Sequence, residues 1–277
     1  MKKIISLLFF LIFIFHSLYS QHRKILDTVQ LSFTYNYTFK HDSLNIEYET
    51  EMEMILQIGK KHSSFTSKNM YLLDSISFSM PDYETSAGFK KLVPYIQMYH
   101  TPRLCNYNLI KINNLNSTMY GTPSDAEYVA VDNRKILWNI NFNTDTLIYG
   151  YKCKKATTHF AGRNYIAWFT HQIPIADGPY KFSGLPGLII KIEDKEKQHC
   201  FSFIKANKPS SLKYVYYRDD SDYITTSPEN YVKAFHTYNS LLFDKISRNE
   251  IAFFNSEDDK VAALNRLMSK NNFIERY

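Results

Sequence analysis

A chain of 277 residues, 44% hydrophobic and 22% charged, is long enough to bury one substantial core. Its formal net charge of +6 is scattered along the chain, and no aromatic–basic ladder accompanies it, which argues against a nucleic-acid partner. The unusual numbers are 22 Tyr and 20 Phe, a composition that favours sheets and, in an exported protein, an amphipathic surface.

The first twenty residues read as a secretory leader. Lys2 and Lys3 form a basic start, Ile4 to Phe15 an apolar run, and Ser17 to Ser20 a small and polar exit, so cleavage is expected after Ser20. No cysteine sits just after that run, which speaks against a lipid anchor. No later apolar stretch reaches the roughly 18 residues a membrane-crossing helix needs. Residues 21–277 are expected to form a single β-rich domain, since no repeat, low-complexity run or Pro/Gly/Ser linker divides them.

Strand signals then follow one another. Leu31, Phe33, Tyr35, Tyr37 and Phe39 alternate with polar residues, and Met52, Met54, Leu56 and Ile58 repeat the pattern. Residues 68–107 have weak periodicity and many Ser, Pro and Tyr, and read as a loop-rich insertion. Further strands are expected at 128–131, 136–142, 146–151, 154–160, 164–170, 188–193 and 200–206. Asn143-Thr144-Asp145 and Ala161-Gly162-Arg163 are expected to be hairpin turns between them. Short strands about ten residues apart argue for a curled antiparallel sheet.

Two helices are expected near the C-terminus. At 227–247, Ser227 is an N-cap, Pro228 the first helical residue, and Tyr231, Phe235, Tyr238, Leu242 and Phe243 an apolar stripe. At 256–270, Ser256 and the acidic Glu257, Asp258 and Asp259 suit a helix start, followed by Val261, Leu264 and Leu267. The expected architecture is α+β: a curved antiparallel sheet, an open barrel or half-barrel, with C-terminal helices packed on or beside it.

The chemistry of sites is sparse. Nine histidines show no HExxH, CxxC or HxH spacing, and the glycines fit neither GxGxxG nor a phosphate loop, so neither a metal nor a cofactor is expected. Of Cys105, Cys153 and Cys200, the last two fall on neighbouring strand candidates and are the candidate disulfide of an oxidising compartment. The richest segment is 163–194. Gly178-Pro179 sets one tight corner, and Gly184 with Leu185-Pro186-Gly187 another, the latter with the chemistry of a type II turn. Two readings stand side by side. In one, Tyr180 and Phe182 pack inward and Arg163 pairs with a carboxylate such as Asp177. In the other, Arg163, Trp168, Tyr180 and Phe182 form a recognition surface of rigid aromatics and a guanidinium fork.

The hexapeptide Gly184 to Ile189, together with Cys153, Gly162-Arg163, Ala167-Trp168, Ile173-Pro174-Ile175 and Gly178-Pro179, resembles the GLPGLI family of secreted Bacteroidetes proteins. The likeness runs from about Cys153 to Ile192. It implies export and frequent encoding beside TonB-dependent outer-membrane receptors; the family has no established activity. The functional expectation is an envelope protein, periplasmic or outer-membrane-associated, that binds a peptide, a lipid or a receptor domain in a concave apolar groove. The alternatives are a hydrolase with a non-local site drawn from His159, His171, Asp177 and Glu193, and a structural partner presenting an apolar patch or strand edge.

Overall fold

The computed structural model describes residues 23–277 apart from 44–48, 81–84, 114–115, 210, 219–221, 252–253 and 255. The expected leader lies outside the described residues. In chain order the strands and helices are β1 (Arg23–Thr28), β2 (Leu31–Lys40), β3 (Glu49–Ile58), β4 (His62–Ser67), α1 (Lys68–Ser79) and α2 (Ser86–Met98). There follow β5 (Tyr107–Ile112), β6 (Asn116–Gly121), β7 (Tyr128–Asp132), β8 (Asn139–Ile148), β9 (Tyr151–Phe160) and β10 (Arg163–Thr170). The chain ends with β11 (Leu188–Asp194), β12 (His199–Asn207), β13 (Tyr214–Arg218), β14 (Ile224–Thr226), α3 (Pro228–Ser247) and α4 (Glu257–Met268).

Twelve strands form one sheet in the order β14-β7-β6-β5-β4-β3-β2-β12-β11-β10-β9-β8. Every neighbouring pair is antiparallel except β14 with β7. The sheet is open, yet strongly curved. Nine strand-to-strand steps separate β7 from β9, about 43 Å if flat at ~4.8 Å per step. The Arg134 guanidinium, just beyond β7, nevertheless stands 5.0 Å from the Phe160 ring of β9. The physical cause is the inward face. Phe33, Tyr35, Tyr37 and Phe39 of β2, Leu109 of β5, Met119 of β6, Tyr165 of β10 and Phe201 of β12 belong to one buried cluster. Rings stack across the strands, with Tyr37 and Phe201 centroids 4.1 Å apart. Each such ring adds roughly 1.5–3 kcal/mol by burial, so curling that brings inward faces together is strongly favoured.

The outer face is covered locally. β1 pairs with β13 as a separate two-stranded ribbon, and Val29, Ile110 and Val215 form a second small core beneath it. α3 presents Tyr231, Val232 and Phe235 to the main core, where Phe235 meets Phe273 at 5.5 Å between centroids. Both C-terminal helices lie where their caps foretold: the Ser227 side chain accepts from Asn230 N, and that of Ser256 from Asp259 N.

Two expectations are corrected, and one strand appears where none was expected. Residues 68–107 are no loop-rich insertion but hold α1, α2 and a short 3-10 turn at Arg103–Cys105. Ser67 and Thr85 cap the two helices; the serines and Pro94 that obscured the period are accommodated, Pro94 inside α2. Asn143-Thr144-Asp145 is not a hairpin turn, because β8 runs on through it, absorbing those residues in a register shift between Asn141 and Thr146. The turn follows instead at Tyr149-Gly150, both at positive φ. Strand β4, His-Ser-Ser-Phe-Thr-Ser, carries no apolar alternation yet is almost wholly buried, because its hydroxyls find partners inside.

Candidate functional site

After β10 the chain leaves the sheet as residues 171–187, first along the surface and then, from Asp177 to Phe182, buried inside the curl, and returns as β11. Gly187 makes this possible: its φ is +150°, and a Cβ there would stand 2.1 Å from the Thr170 carbonyl oxygen. The expected type II turn is tighter than foreseen. Gly187 N donates to Leu185 O at 2.8 Å, closing a three-residue turn on Pro186, while Leu188 N is drawn off to Ile173 O at 3.0 Å. The other corner also holds as a turn. Gly178 lies against Ile189, and Phe182 N donates to Pro179 O at 3.1 Å; Gly184 takes φ +89°.

The charges of this segment are spent inside the protein. Asp177 pairs with the Lys111 ammonium, accepts from Ser63 Oγ at 2.6 Å, and both ionised side chains are 1% exposed. Lys111 also donates to Gly178 O at 2.7 Å. Burial pushes the Lys111 pKa down, and the Asp177 charge opposes that shift. Lys181 bridges Asp132 at 2.9 Å and Glu275 at 2.6 Å, and Arg134 grips Asp132 through two nitrogens at 2.8 and 2.6 Å. Hydrogen bonds from Arg134 and the charge of Lys181 hold the Asp132 carboxyl well below the usual range despite partial burial.

Arg163 belongs to a third network, and its carboxylate is Asp194 at 3.0 Å, not Asp177. Its second nitrogen donates to Asn272 Oδ1 at 2.5 Å and Phe273 O at 2.8 Å, and Tyr165 OH donates to Ile274 O at 2.9 Å. Tyr180 OH donates to Glu275 Oε1 at 2.7 Å. These bonds seat the last residues of the chain, 272–277, as an extended strap across the sheet's inner side. Gly162 lets the strap pass: a Cβ there would meet Arg276 O at 2.3 Å. Its turn is the expected one, with Ala161 and Gly162 both at positive φ.

Of the four expected contact residues, three are therefore internal. Arg163 (3% exposed), Tyr180 and Phe182 are buried, Phe182 against Tyr165 at 4.7 Å between centroids. They form no recognition surface; the inward reading describes them. Only Trp168 is partly exposed, on the outer face, with the Lys191 ammonium 5.2 Å from its ring. The concave apolar groove expected here is filled by Tyr180, Phe182 and Leu185 and by Phe273 and Ile274 of the strap. Cys153 and Cys200 are unpaired. They stand on β9 and β12 with β10 and β11 between, about 14 Å apart at ~4.8 Å per strand, well beyond the roughly 7 Å limit for a bridge. His159, hydrogen-bonded to Asn164, and His171 are exposed, whereas Asp177 is buried with Lys111, so the hydrolase grouping does not assemble. Among the described residues no group of three His, Cys, Asp or Glu side chains is placed to hold a metal.

The open concavities lie elsewhere, where the missed helices and the C-terminal helices meet the sheet. One cleft of about 480 Å³ runs between α1, α2 and β5–β6, lined by residues including Leu73, Ile96, Tyr99, Asn108 and Tyr120. A second, of about 450 Å³, lies between α3, α4 and the corner at 100–104. Both fall within the roughly 300–1,000 Å³ usual for ligand sites. His100 and Arg103 line both. The Arg103 guanidinium stacks 4.3 Å from the Tyr238 ring and donates to the Ser124 carbonyl, forming the partition. Sequence reading passed over His100 and Arg103, and took Tyr238 and Leu242 only as part of a helix stripe. The usable signal was the i, i+4 pair Tyr238/Leu242, which places two side chains on one face of α3. A third cleft of about 130 Å³ beside Lys111, Arg134 and Lys181 has room only for small species.

Comparison with known proteins adds little to this geometry. A family described as a protein of unknown function (Porph_ging) matches residues 161–191, the stretch of the turn, β10 and the hexapeptide. None of the curated proteins matches the chain. Among solved structures, PNGF-II in the P21 and C2 space groups is similar at 13% and 12% identity, each with a TM-score of 0.47. Either match covers 77% of this chain and 34% of that one, so the chain spans about a third of the length of the structures it resembles. Among the described residues no helix is long and apolar enough to cross a membrane.

Proposed function

We infer that the protein is an exported, envelope-facing binding module, periplasmic or associated with the outer membrane, and that it acts without catalysis on a peptide, a lipid or a receptor domain. The observation that carries this reading is the division of labour in the fold. The segment richest in chemistry is consumed in closed buried networks that hold the strap. Two solvent-open clefts of ligand size meet instead at Arg103, walled by side chains from four helices. Aromatic and apolar walls with a few polar groups are the usual make-up of a recognition pocket.

The test is native mass spectrometry of the protein purified from envelope, beside a Leu242→Arg variant that fills the second cleft and a Tyr99→Arg variant that fills the first. Adducts carried by the wild type and lost in one variant support the reading and locate the ligand. Adducts retained by both variants, or none in any sample, refute it.

A second reading, a structural partner within an envelope complex, is favoured by β8. It is the last strand of the sheet, and Leu147 (72% exposed) projects from it beside exposed Tyr149. Such an edge accepts a further strand. Thr146→Pro should then abolish capture of a receptor domain while leaving cleft adducts unchanged; capture by both proteins would remove the edge from consideration.

A further inference from the structure

The second cleft has an uneven chemistry whose meaning depends on its being a binding site, as argued above. Part of its lining is apolar: Leu104, Phe235, Leu242 and Leu267. Arg103, Arg266 and Lys270 supply three cations, and no Asp or Glu lines the cleft among the described residues.

An ordinary explanation covers some of this. Arg266 sits in the last turn of α4, where a cation suits the negative end of the helix. Arg103 is already engaged with Ser124 O, the Tyr238 ring and, at 3.8 Å, the Asp125 carboxylate, so it is not a free cation of the cleft. Lys270 is different. It lies two residues past the helix, partly buried, and burial together with the charges of Arg266 and Arg103 pushes its pKa down. Within the described chain neither its ammonium nor the Arg266 guanidinium has a carboxylate partner. Converging cations of this kind are unfavourable unless an anion is present.

Asn239 adds an independent observation. It lines the same cleft, and its Nδ2 amide is buried with no acceptor. A buried donor left unpaired costs about 1–3 kcal/mol, so an acceptor brought in by a ligand would recover a real penalty. His41 does not compete for that place: its Nε2 is hydrogen-bonded to Thr50 Oγ1 at 2.7 Å, and burial and Lys270 lower its pKa.

We propose that this cleft binds an amphipathic anion, with its acid head between Lys270, Arg266 and the Asn239 amide and its apolar body against Phe235, Leu242 and Leu267. A carboxylate and a phosphate monoester share the required chemistry, one or two charges and several acceptor oxygens on an alkyl body. The long apolar wall makes the body as necessary as the head.

The decisive experiment is calorimetric titration of the envelope-purified protein with four ten-carbon amphiphiles, each below its micelle concentration. Decanoate and decyl phosphate carry the two acid heads, decyltrimethylammonium a cation, and decyl maltoside a neutral sugar. At least one anion should bind tenfold or more tightly than the cationic and neutral compounds, and the two acids identify the head. Lys270→Glu, at a partly exposed position whose urea midpoint should stay unchanged, should weaken that anion tenfold or more; Lys270→Arg should retain it. Leu242→Arg should abolish binding. If decyl maltoside binds as well as the acids, ignores Lys270→Glu and is lost in Leu242→Arg, the anion assignment falls and the cleft remains a binding site. Anion binding that survives Leu242→Arg, or no binding of either acid at millimolar concentration, overturns the assignment outright.

Discussion

The buried pair Lys111–Asp177 ties the hexapeptide segment to strand β5, and severing it is the sharpest test of how the fold is held. Asp177→Asn leaves the Lys111 ammonium, 1% exposed, facing an amide in place of its charge. Breaking one side of a buried ion pair costs about 3–5 kcal/mol. For a chain of this length each kcal/mol lowers Tm by roughly 2–4 °C, so a fall of about 10 °C is expected. The pair is coupled, so Lys111→Met/Asp177→Asn should lose no more than Asp177→Asn alone, and with Lys111→Met as the other single variant the double-mutant cycle should give a coupling of at least ~2 kcal/mol. The pH dependence follows from the same group. The folded pKa of Lys111 already lies below its ordinary 10.5. Between that folded value and 10.5 the unfolded chain holds the extra proton, so stability attributable to Lys111 rises with pH. Losing Asp177 removes the charge that opposes the shift, so the variant's deficit should shrink as pH is raised toward 10. Urea denaturation at pH 7 and pH 9.5 reads both effects. Single-variant costs that simply add within about 0.5 kcal/mol, or a deficit that grows with pH, would refute the reasoning.

Other consequences are equally direct. Phe273→Ala, which empties a buried ring site between Tyr231 and Phe235, should cost about 3–5 kcal/mol in urea denaturation and expose the C-terminus to carboxypeptidase. A wild-type-like rate of C-terminal trimming would mean the strap is not held there. Gly162→Ala meets both a φ of +76° and the Arg276 carbonyl, so it should loosen the strap by the same protease measure, whereas Gly184→Ala, with open space around it, should cost only the ~1 kcal/mol of a positive φ. Thiol labelling under non-reducing conditions should find three free cysteines, with Cys200 reacting first; burial raises the Cys105 thiol far above its ordinary value and pushes Cys153 up to about 11. Recovery of a Cys153–Cys200 cross-linked peptide would contradict the strand order. Because the Asp132 carboxyl is depressed in the folded protein, its contribution is present above about pH 4 and is lost as pH falls through and below that range. Arg134→Ala should therefore flatten the acid limb of the stability curve, and an unchanged limb would refute the assignment.

Where pattern and physics coincide, the chain was legible. β2 and β3 alternate because one face meets the core, and α3 and α4 announce themselves by Ser caps and acidic or proline first turns. The Ala161-Gly162 hairpin needed only two residues tolerant of positive φ. Reading failed where side chains are satisfied by distant partners. β4 looks like a polar loop until Ser63 is seen bonded to Asp177, 114 residues away. Arg163 and Tyr180 have the chemistry of a contact surface, and only the strap, 95 to 110 residues further on, shows what they contact. The same holds for the clefts: Arg103, Tyr238 and Lys270 come from three distant stretches of chain with no local reason to be read together.

By itself, then, the sequence determined the strand-dominated architecture, the open curled sheet and the corners of residues 178–187, because alternation, capping and turn chemistry act between near neighbours. Tertiary structure alone decided which charged and hydroxyl side chains lie inside and which face solvent. That outcome depends on which charges meet after the sheet has curled, and an arginine is a binding residue or a buried clamp according to partners far along the chain.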